Sequence, residues 1–295
     1  HDAVQDLGRE RASRIYRLTL AELDRIAAET PHAVRLVGSL RIASSPDEAE
    51  DCHRQLTAMH GDDLPVAPYE GPEGSGLLIP SDGAFNPLER CRTLAIRLLD
   101  DGALLFEHTA ALNISGDRIG TPTGTIRCSR VVVAVDGNLE RVIPELAGRV
   151  RTARLQMLAT SATDEVLVPR PVYARYGLEY WQQLPDGRVA LGGFRDHGGE
   201  AEWTGGGLPS PRVQDRLTGF LREHIGVSAP VTHRWAAPVG FSTTSTPVLA
   251  EVRQGVFAVG GYSGTGNVLG AVCGRLAARL AVRGSGEPDA DLFDA

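Results

Sequence analysis

A chain of 295 residues with 42% apolar and 23% charged side chains is long enough to bury a substantial core and too apolar to remain unfolded. With 37 acidic against 30 basic residues its formal charge is −7, which argues against a broad basic surface for nucleic acid or anionic lipid. The four cysteines, Cys52, Cys91, Cys128 and Cys273, form no CxxC or Cys/His cluster, so no structural metal is expected and the thiols should be reduced. No apolar run approaches the roughly 20 residues of a membrane-spanning helix, and no signal-peptide core stands at the N-terminus, so a cytoplasmic protein without a membrane partner is expected.

In chain order, Leu7, Ile15, Leu18, Leu23 and Ile26 recur at helical spacing and predict an amphipathic helix over 6–29, ended by Thr30-Pro31. Alternation around Gly38 predicts a strand over 34–43. Ser45 as cap, Pro46 at the first position and Glu48 in the first turn begin a second helix. Residues 64–82 are rich in Pro and Gly and read as a surface loop or a few short turns. Asn86 and Pro87 open a helix that runs to about Asp101 and stops at Gly102. Residues 103–107 and 109–114 are strand-like, Gly116-Asp117 is a turn, and 125–134 is a further strand. Its run Val131-Val132-Val133-Ala134-Val135 is wholly apolar, as in a parallel strand covered on both faces. Gly137-Asn138 opens a short helix.

Residues 151–159 form a strand, and 173–184 with 188–194 form a hairpin across Pro185-Asp186-Gly187. Ser210 as cap and Pro211 start a helix to about Ile225. Strands follow over 231–241, 247–252 and 256–260, then a helix of small and apolar residues over 268–283. Pieces of α/β character at both ends flank an antiparallel stretch, so the fold class is α/β (α+β) with two interleaved domains. The chain is expected to build part of one domain, with some elements of the other, over 1–150, cross into the antiparallel domain over 151–241, and return over 242–295.

The most informative run is Val256-Phe257-Ala258-Val259-Gly260-Gly261-Tyr262-Ser263-Gly264-Thr265-Gly266-Asn267. A buried strand delivers the chain to a glycine-rich turn, and a helix starts at once. Glycines allow close backbone approach, and the first helical N–H groups lack internal partners and carry the positive end of the dipole. Such a site accommodates negative charge, or, equally, simply packs a helix start tightly.

The run resembles the C-terminal flavin-binding motif of the D-amino acid oxidase (DAO) family, G-[FYW]-S-G-H-G with a following G-[RK]-L-L-A; here stand Gly261-Tyr262-Ser263-Gly264-Thr265-Gly266 and Gly274-Arg275-Leu276-Ala277. Other segments resemble that family in the same order. They are Asp82-Gly83-Ala84-Phe85-Asn86-Pro87, the strand from Arg130 to Gly137, Arg154-Leu155-Gln156-Met157-Leu158, and Tyr180-Trp181 through Pro185-Asp186-Gly187-Arg188 to Gly192-Gly193. The resemblance covers nearly the whole chain. It implies an FAD-binding Rossmann-like domain interleaved with an antiparallel substrate domain, and non-covalent FAD. Ala110 would then lie beside the adenine, Ala134 and Gly137 near the ribose or pyrophosphate, and Gly261, Tyr262, Ser263, Gly264, Thr265, Gly266 and Asn267 about the flavin.

Two departures qualify the resemblance. No GxGxxG follows any strand, so the family's first βαβ unit is expected ahead of His1, and the FAD-binding domain within this chain is incomplete. The family's amino-acid oxidases clamp the substrate carboxylate with an arginine shortly after W-x-G-x. In Arg234-Trp235-Ala236-Ala237-Pro238-Val239-Gly240-Phe241 that place is held by Val239, which is closer in style to γ-glutamylputrescine oxidase-like members. Val268 stands where sarcosine oxidase-like members carry a lysine, and no cysteine between Trp235 and Gly261 could attach the flavin.

The implied activity is oxidation of a C–N bond of a small amine or amino acid by hydride transfer to the flavin, with O2 accepting the electrons to give H2O2. One alternative is a dehydrogenase serving a quinone or carrier protein. Another is a cofactor-free fragment that only binds partners. Pocket candidates are Tyr173, Tyr180, Trp235 and Phe241, with Trp181 and Arg195 on the same strands, although for any one of the aromatics core packing is the commoner role. No catalytic acid or base is assigned. Arg195-Asp196 reads as a loop ion pair, His233 as a hydrogen-bonded structural residue, and His53, His60, His108 and His224 as surface residues.

Overall fold

In the computed structural model, which describes residues 2–284 and 287–293, the first helical stretch is two helices. α1 (Asp2–Leu7) and α2 (Arg9–Glu29) part at Gly8, whose φ of +79° lies outside the helical range. Gly38, with φ +76°, likewise splits the next strand into β1 (Val34–Arg35) and β2 (Ser39–Ile42). α3 (Pro46–Gly61) starts as its sequence predicts: Ser45 Oγ accepts the Glu48 N–H at 3.2 Å, and Glu48 Oε2 accepts that of Ser44 at 2.9 Å. The Pro- and Gly-rich stretch after it is not a loop but a hairpin, β3 (Ala67–Gly71) against β4 (Gly74–Ile79). Pro68 is accommodated because β3 is the outermost strand of its sheet.

β5 (Ala84–Phe85) pairs with β1, and α4 (Pro87–Asp100) is capped by Asn86, whose Oδ1 accepts the Glu89 N–H at 3.2 Å. Residues 103–112, expected as strand, are irregular. Pairing resumes in a meander of β6 (Asn113–Ser115), β7 (Arg118–Thr121) and β8 (Gly124–Arg127). β9 (Val131–Val133) leaves the meander for another sheet, so the expected strand 125–134 is two. α5 (Leu139–Val142) and the long β10 (Val150–Ala162) follow. The expected strand 173–184 is also two, β11 (Val172–Ala174) and β12 (Glu179–Gln183), because Arg175, Tyr176 and Gly177 take φ values of 50°, 56° and 82°.

β13 (Arg188–Gly193) completes the hairpin, and α6 (Arg195–Gly198) and α7 (Pro211–Phe220) come next, α7 running into a π-helical turn over Leu221–Ile225. Ser210 does not cap α7; its Oγ donates instead to Glu202 at 2.9 Å. The chain ends with β14 (Val231–Ser242), β15 (Val248–Arg253), β16 (Val256–Gly260) and α8 (Gly266–Arg283).

These elements form two compact units: residues up to 13, 34–85 and 153–238 make the first, and 14–33, 86–152 and 239 onward the second. The first unit holds the sheet β14-β10-β13-β12-β11-β2-β4-β3, in which β11 and β2 are parallel. One face buries Leu40, Leu158, Val172, Trp181 and Leu191 with Val213 and Leu217 of α7. A buried pair, Arg154 with Glu202 at 2.8 Å, is held by Gln156, whose Nε2 donates to Glu202 at 2.7 Å. Burial opposes ionisation of Glu202, but the hydrogen bonds from Arg154, Gln156 and Ser210 and the Arg154 charge outweigh it and hold the carboxyl below its ordinary range.

In the second unit β16 lies between β15, antiparallel to it, and β9, parallel to it. Val256 and Ala258 pack with Val131, Val133, Leu139 and Ile143, whereas Val259 and Leu249 pack with Val272, Cys273 and Leu276 of α8. β9 is an edge strand, and the expected cover of its whole apolar run is not found: Val132 is 38% exposed and Val135 47%. The four cysteines are free thiols. Among the described residues no helix is long and apolar enough to cross a membrane, and no His, Cys, Asp and Glu group is placed to hold a metal.

Candidate functional site

β16 is buried along its length and releases the chain into a turn where Gly261, Ser263 and Gly264 take φ values of 71°, 53° and 92°. A Cβ on Gly264 would meet nothing within 4 Å, so the backbone there borders open space. Thr265 is the N-cap of α8, yet its side chain makes no capping bond and donates instead to Tyr262 O at 2.6 Å. Thr265 therefore adds no side-chain cap to the positive end of this helix. Glycine at 266 lets the start of α8 close on the Tyr262 ring, since a Cβ there would stand 3.2 Å from it. Burial, with the Asp136 carboxylate adding, raises the pKa of that phenol, so it stays protonated.

The inner amides of the turn meet a carboxylate. Asp136 Oδ1 accepts the N–H of Gly261 at 2.9 Å and of Tyr262 at 3.1 Å, while Oδ2 accepts that of Gly240 at 3.1 Å. Ser263 N–H donates to Gly240 O at 2.9 Å, and Thr265 N–H to Tyr262 O at 2.9 Å. Among residues 261–267, then, Gly261, Tyr262, Ser263 and Thr265 hold the turn's shape, and the amides of Gly264, Gly266 and Asn267 stand at the open helix end. Gly264 and Asn267 are exposed and Gly266 is half-buried.

The loop after β9 adds a second feature. Asn138 has φ 67°, and its N–H donates to Thr152 Oγ1 at 2.7 Å. Its Oδ1 is buried with no hydrogen-bond partner among the described residues. A buried acceptor left so costs about 1–3 kcal/mol, which fits a ligand that brings a donor. A Cβ on Gly260 would lie 3.0 Å from Asp136 Cα, so this loop and the glycine turn are neighbours. Gly137 is half-buried in the loop, Ala134 is exposed at its start, and Ala110 is exposed in the irregular stretch 103–112. Asp136, Asn138 and Gly240 were not singled out by sequence; Asp136 and Gly261 are 125 residues apart, and only the β9–β16 pairing brings them together.

In the first unit, Tyr173 is opposite Tyr180, and Tyr180 is opposite Gly192, so the two tyrosines share a sheet face with Arg41, the partner of Tyr173. Gly192 makes room for Tyr180, since a Cβ there would be 2.4 Å from its ring. Burial pushes the Tyr180 phenol up to about 12. Arg41 on that face is held by Asp51 and Gln55. Trp181 points the other way, 4% exposed in the core with its ring 5.6 Å from that of Phe220, and is not a pocket residue. Trp235 is 39% exposed on the edge strand β14. Phe241 is half-buried in the second unit, bridged to Tyr262, so the four pocket candidates divide between the units. Arg195 and Asp196 do not form the expected pair: Asp196 binds Arg175 through two bonds of 2.8 Å and 2.9 Å, and Arg195 stacks over Trp203. His233 Nδ1 lies 2.9 Å from Thr232 Oγ1.

A parallel strand pair feeding a glycine turn and an open helix end, with a largely antiparallel sheet unit in the same chain, defines a two-unit α/β protein. The model of the family DAO, FAD dependent oxidoreductase, matches residues 1–280, and the chain belongs to that family. It is 30% identical over 222 residues to a probable oxidoreductase, OrdL, of Rhizobium meliloti (strain 1021), covering 70% of this chain and 49% of that protein. It is 26% identical over 230 residues to gamma-glutamylputrescine oxidoreductase of Escherichia coli (strain K12), covering 74% and 51%. The chain thus spans about half the length of the curated relatives it matches. Its fold is similar to that of L-proline dehydrogenase from P. horikoshii (TM-score 0.79, 17% identity, 97% of this chain and 82% of that one). Glycine oxidase from Geobacillus kaustophilus is also similar (TM-score 0.76, 20% identity, 96% and 81%).

Proposed function

We propose that this polypeptide belongs to an FAD-dependent oxidase that oxidises the C–N bond of an amine or amino acid. The observation that carries the reading is the uncapped start of α8 behind the open backbone at Gly264. Such an end favours an electron-rich group through its N–H donors and dipole. Gly264, Gly266 and Asn267 would hold the ring of a non-covalent FAD, and the buried Asn138 Oδ1 would accept a hydrogen bond from it. Held by these residues, FAD would supply the hydride acceptor for the carbon next to nitrogen and the route of electrons to O2, giving H2O2. Water would hydrolyse the resulting imine to a carbonyl compound and an amine.

This chain's own residues then bind and orient. Tyr180 presents a hydroxyl that is protonated below about pH 12 and makes no hydrogen bond among the described residues, so it can donate to a substrate oxygen or accept from an amine. Val239 offers no charge to a carboxylate, which favours amines and N-substituted compounds over simple amino acids. Holding the amine neutral is the one protonation requirement, so no acid or base is assigned.

The test is the intact polypeptide purified with FAD and supplied with primary amines, secondary amines and amino acids, γ-glutamylputrescine among them. A flavin absorbance band and H2O2 formed on O2 alone support the oxidase. Turnover only with an artificial acceptor makes it a dehydrogenase, and a colourless protein indifferent to FAD ends the reading.

A further inference from the structure

We propose that Asp136 is the positioning residue of the glycine turn, locking its shape and placing a fixed negative charge behind it that makes a bound flavin harder to reduce. The second half rests on the flavin reading above; the first does not.

One carboxylate gathers three backbone N–H groups from two segments, Gly240 on β14 and Gly261 with Tyr262 in the turn. The approach of Gly240 to this carboxylate is close enough to exclude a side chain there. A Cβ on Gly240 would stand 2.6 Å from Asp136 O and 3.1 Å from Oδ1. Asp136 itself takes φ 51°, a conformation that costs most side chains about 1–2 kcal/mol and that Asp and Asn adopt most readily. The loop therefore accepts strain to aim this side chain, and only an acceptor on both arms satisfies all three donors.

That requirement separates Asp from Asn. In Asp136→Asn the single oxygen can still accept from Gly261 and Tyr262, but the Nδ2 hydrogens face the Gly240 N–H, donor against donor. The turn keeps its clamp and loses the charge. In Asp136→Ala all three bonds are lost. With the carboxylate present, negative charge gathering on a ring held at the α8 end is opposed from behind; removing it lets the helix end act alone.

The experiment reads two quantities. Amide hydrogen exchange of Gly240, Gly261 and Tyr262, followed by NMR on the protein without added FAD, tests the clamp. The expected rise is about tenfold or more, the scale of losing a charge-assisted hydrogen bond, at Gly240 alone in Asp136→Asn and at all three in Asp136→Ala. Redox titration of the FAD-loaded protein against reference dyes tests the charge: Asp136→Asn shifts the flavin potential positive while FAD affinity stays within about threefold of wild type, a free-energy change well under that of one lost bond. Unchanged exchange in Asp136→Ala overturns the clamp. A changed exchange pattern with an unmoved or negative potential overturns the electrostatic role and leaves a structural one. A wild-type protein that binds no FAD ends the flavin reading and the electrostatic role with it, while the exchange result still decides the clamp.

Discussion

β16 and β9 are hydrogen-bonded neighbours, and the run Val-Val-Val-Ala-Val that opens with β9 is as apolar as the Val-Phe-Ala-Val-Gly of β16, yet the two are covered to different extents. Every residue of β16 is buried, between β15 and β9 and under α8, whereas Val132 and Val135 on the β9 side are open. The same unit leaves Ile96 and Leu98 of α4 and Leu104, Leu105 and Phe106 of the irregular stretch exposed. An apolar run is thus a demand for cover, and neighbours decide whether it is met. Residues 103–112 make the same point for pairing: strand-like side chains gain no strand where no ladder partner is found. Open apolar edges of this kind are surfaces to which further polypeptide can add.

The largest effect should come from the covered strand. Phe257→Ala is expected to cost about 3–5 kcal/mol and Val259→Ala about 2 kcal/mol in urea unfolding, against under about 1 kcal/mol for Val132→Ala. Equal costs at Val259 and Val132 would break the comparison. Buried charge in the first unit sharpens it in another way. Glu202→Gln should cost about 3 kcal/mol at pH 7 by leaving Arg154 without its counter-charge. Because the folded Glu202 carboxyl titrates below its unfolded value of about 4.3, its contribution is complete above that value and is lost as pH falls through the folded one. Unfolding midpoints at pH 7 and pH 3 should therefore fall further for wild type than for the variant.

Next in size is Gly240→Ala, where the added Cβ meets the Asp136 backbone; overpacking predicts a loss of about 1–3 kcal/mol and a weaker hold on FAD, read by fluorescence titration. Tyr180→Phe should leave stability within about 0.5 kcal/mol yet raise KM several-fold, roughly one net hydrogen bond of about 1 kcal/mol. No change in KM would remove Tyr180 from the substrate face. Smallest is Leu104→Ser, which should change unfolding by under about 0.5 kcal/mol while lowering self-association in light scattering, since Leu104 is 81% exposed.

Local signals in the sequence determined the caps of α3 and α4, the hairpin across Pro185–Gly187, the buried β16 and the glycine turn before α8, because caps, tight turns and backbone freedom act within a few residues. Family resemblance added the proposal that the turn holds a flavin. The tertiary structure alone decided that Tyr180 and Trp181, adjacent in sequence, serve opposite faces, that the Pro-rich stretch 67–79 pairs as a hairpin, and that β9 is an edge. It also decided that Asp136 holds Gly261 across 125 residues. Facing, cover and long-range acceptors depend on which segments meet in space, and no local propensity encodes that meeting.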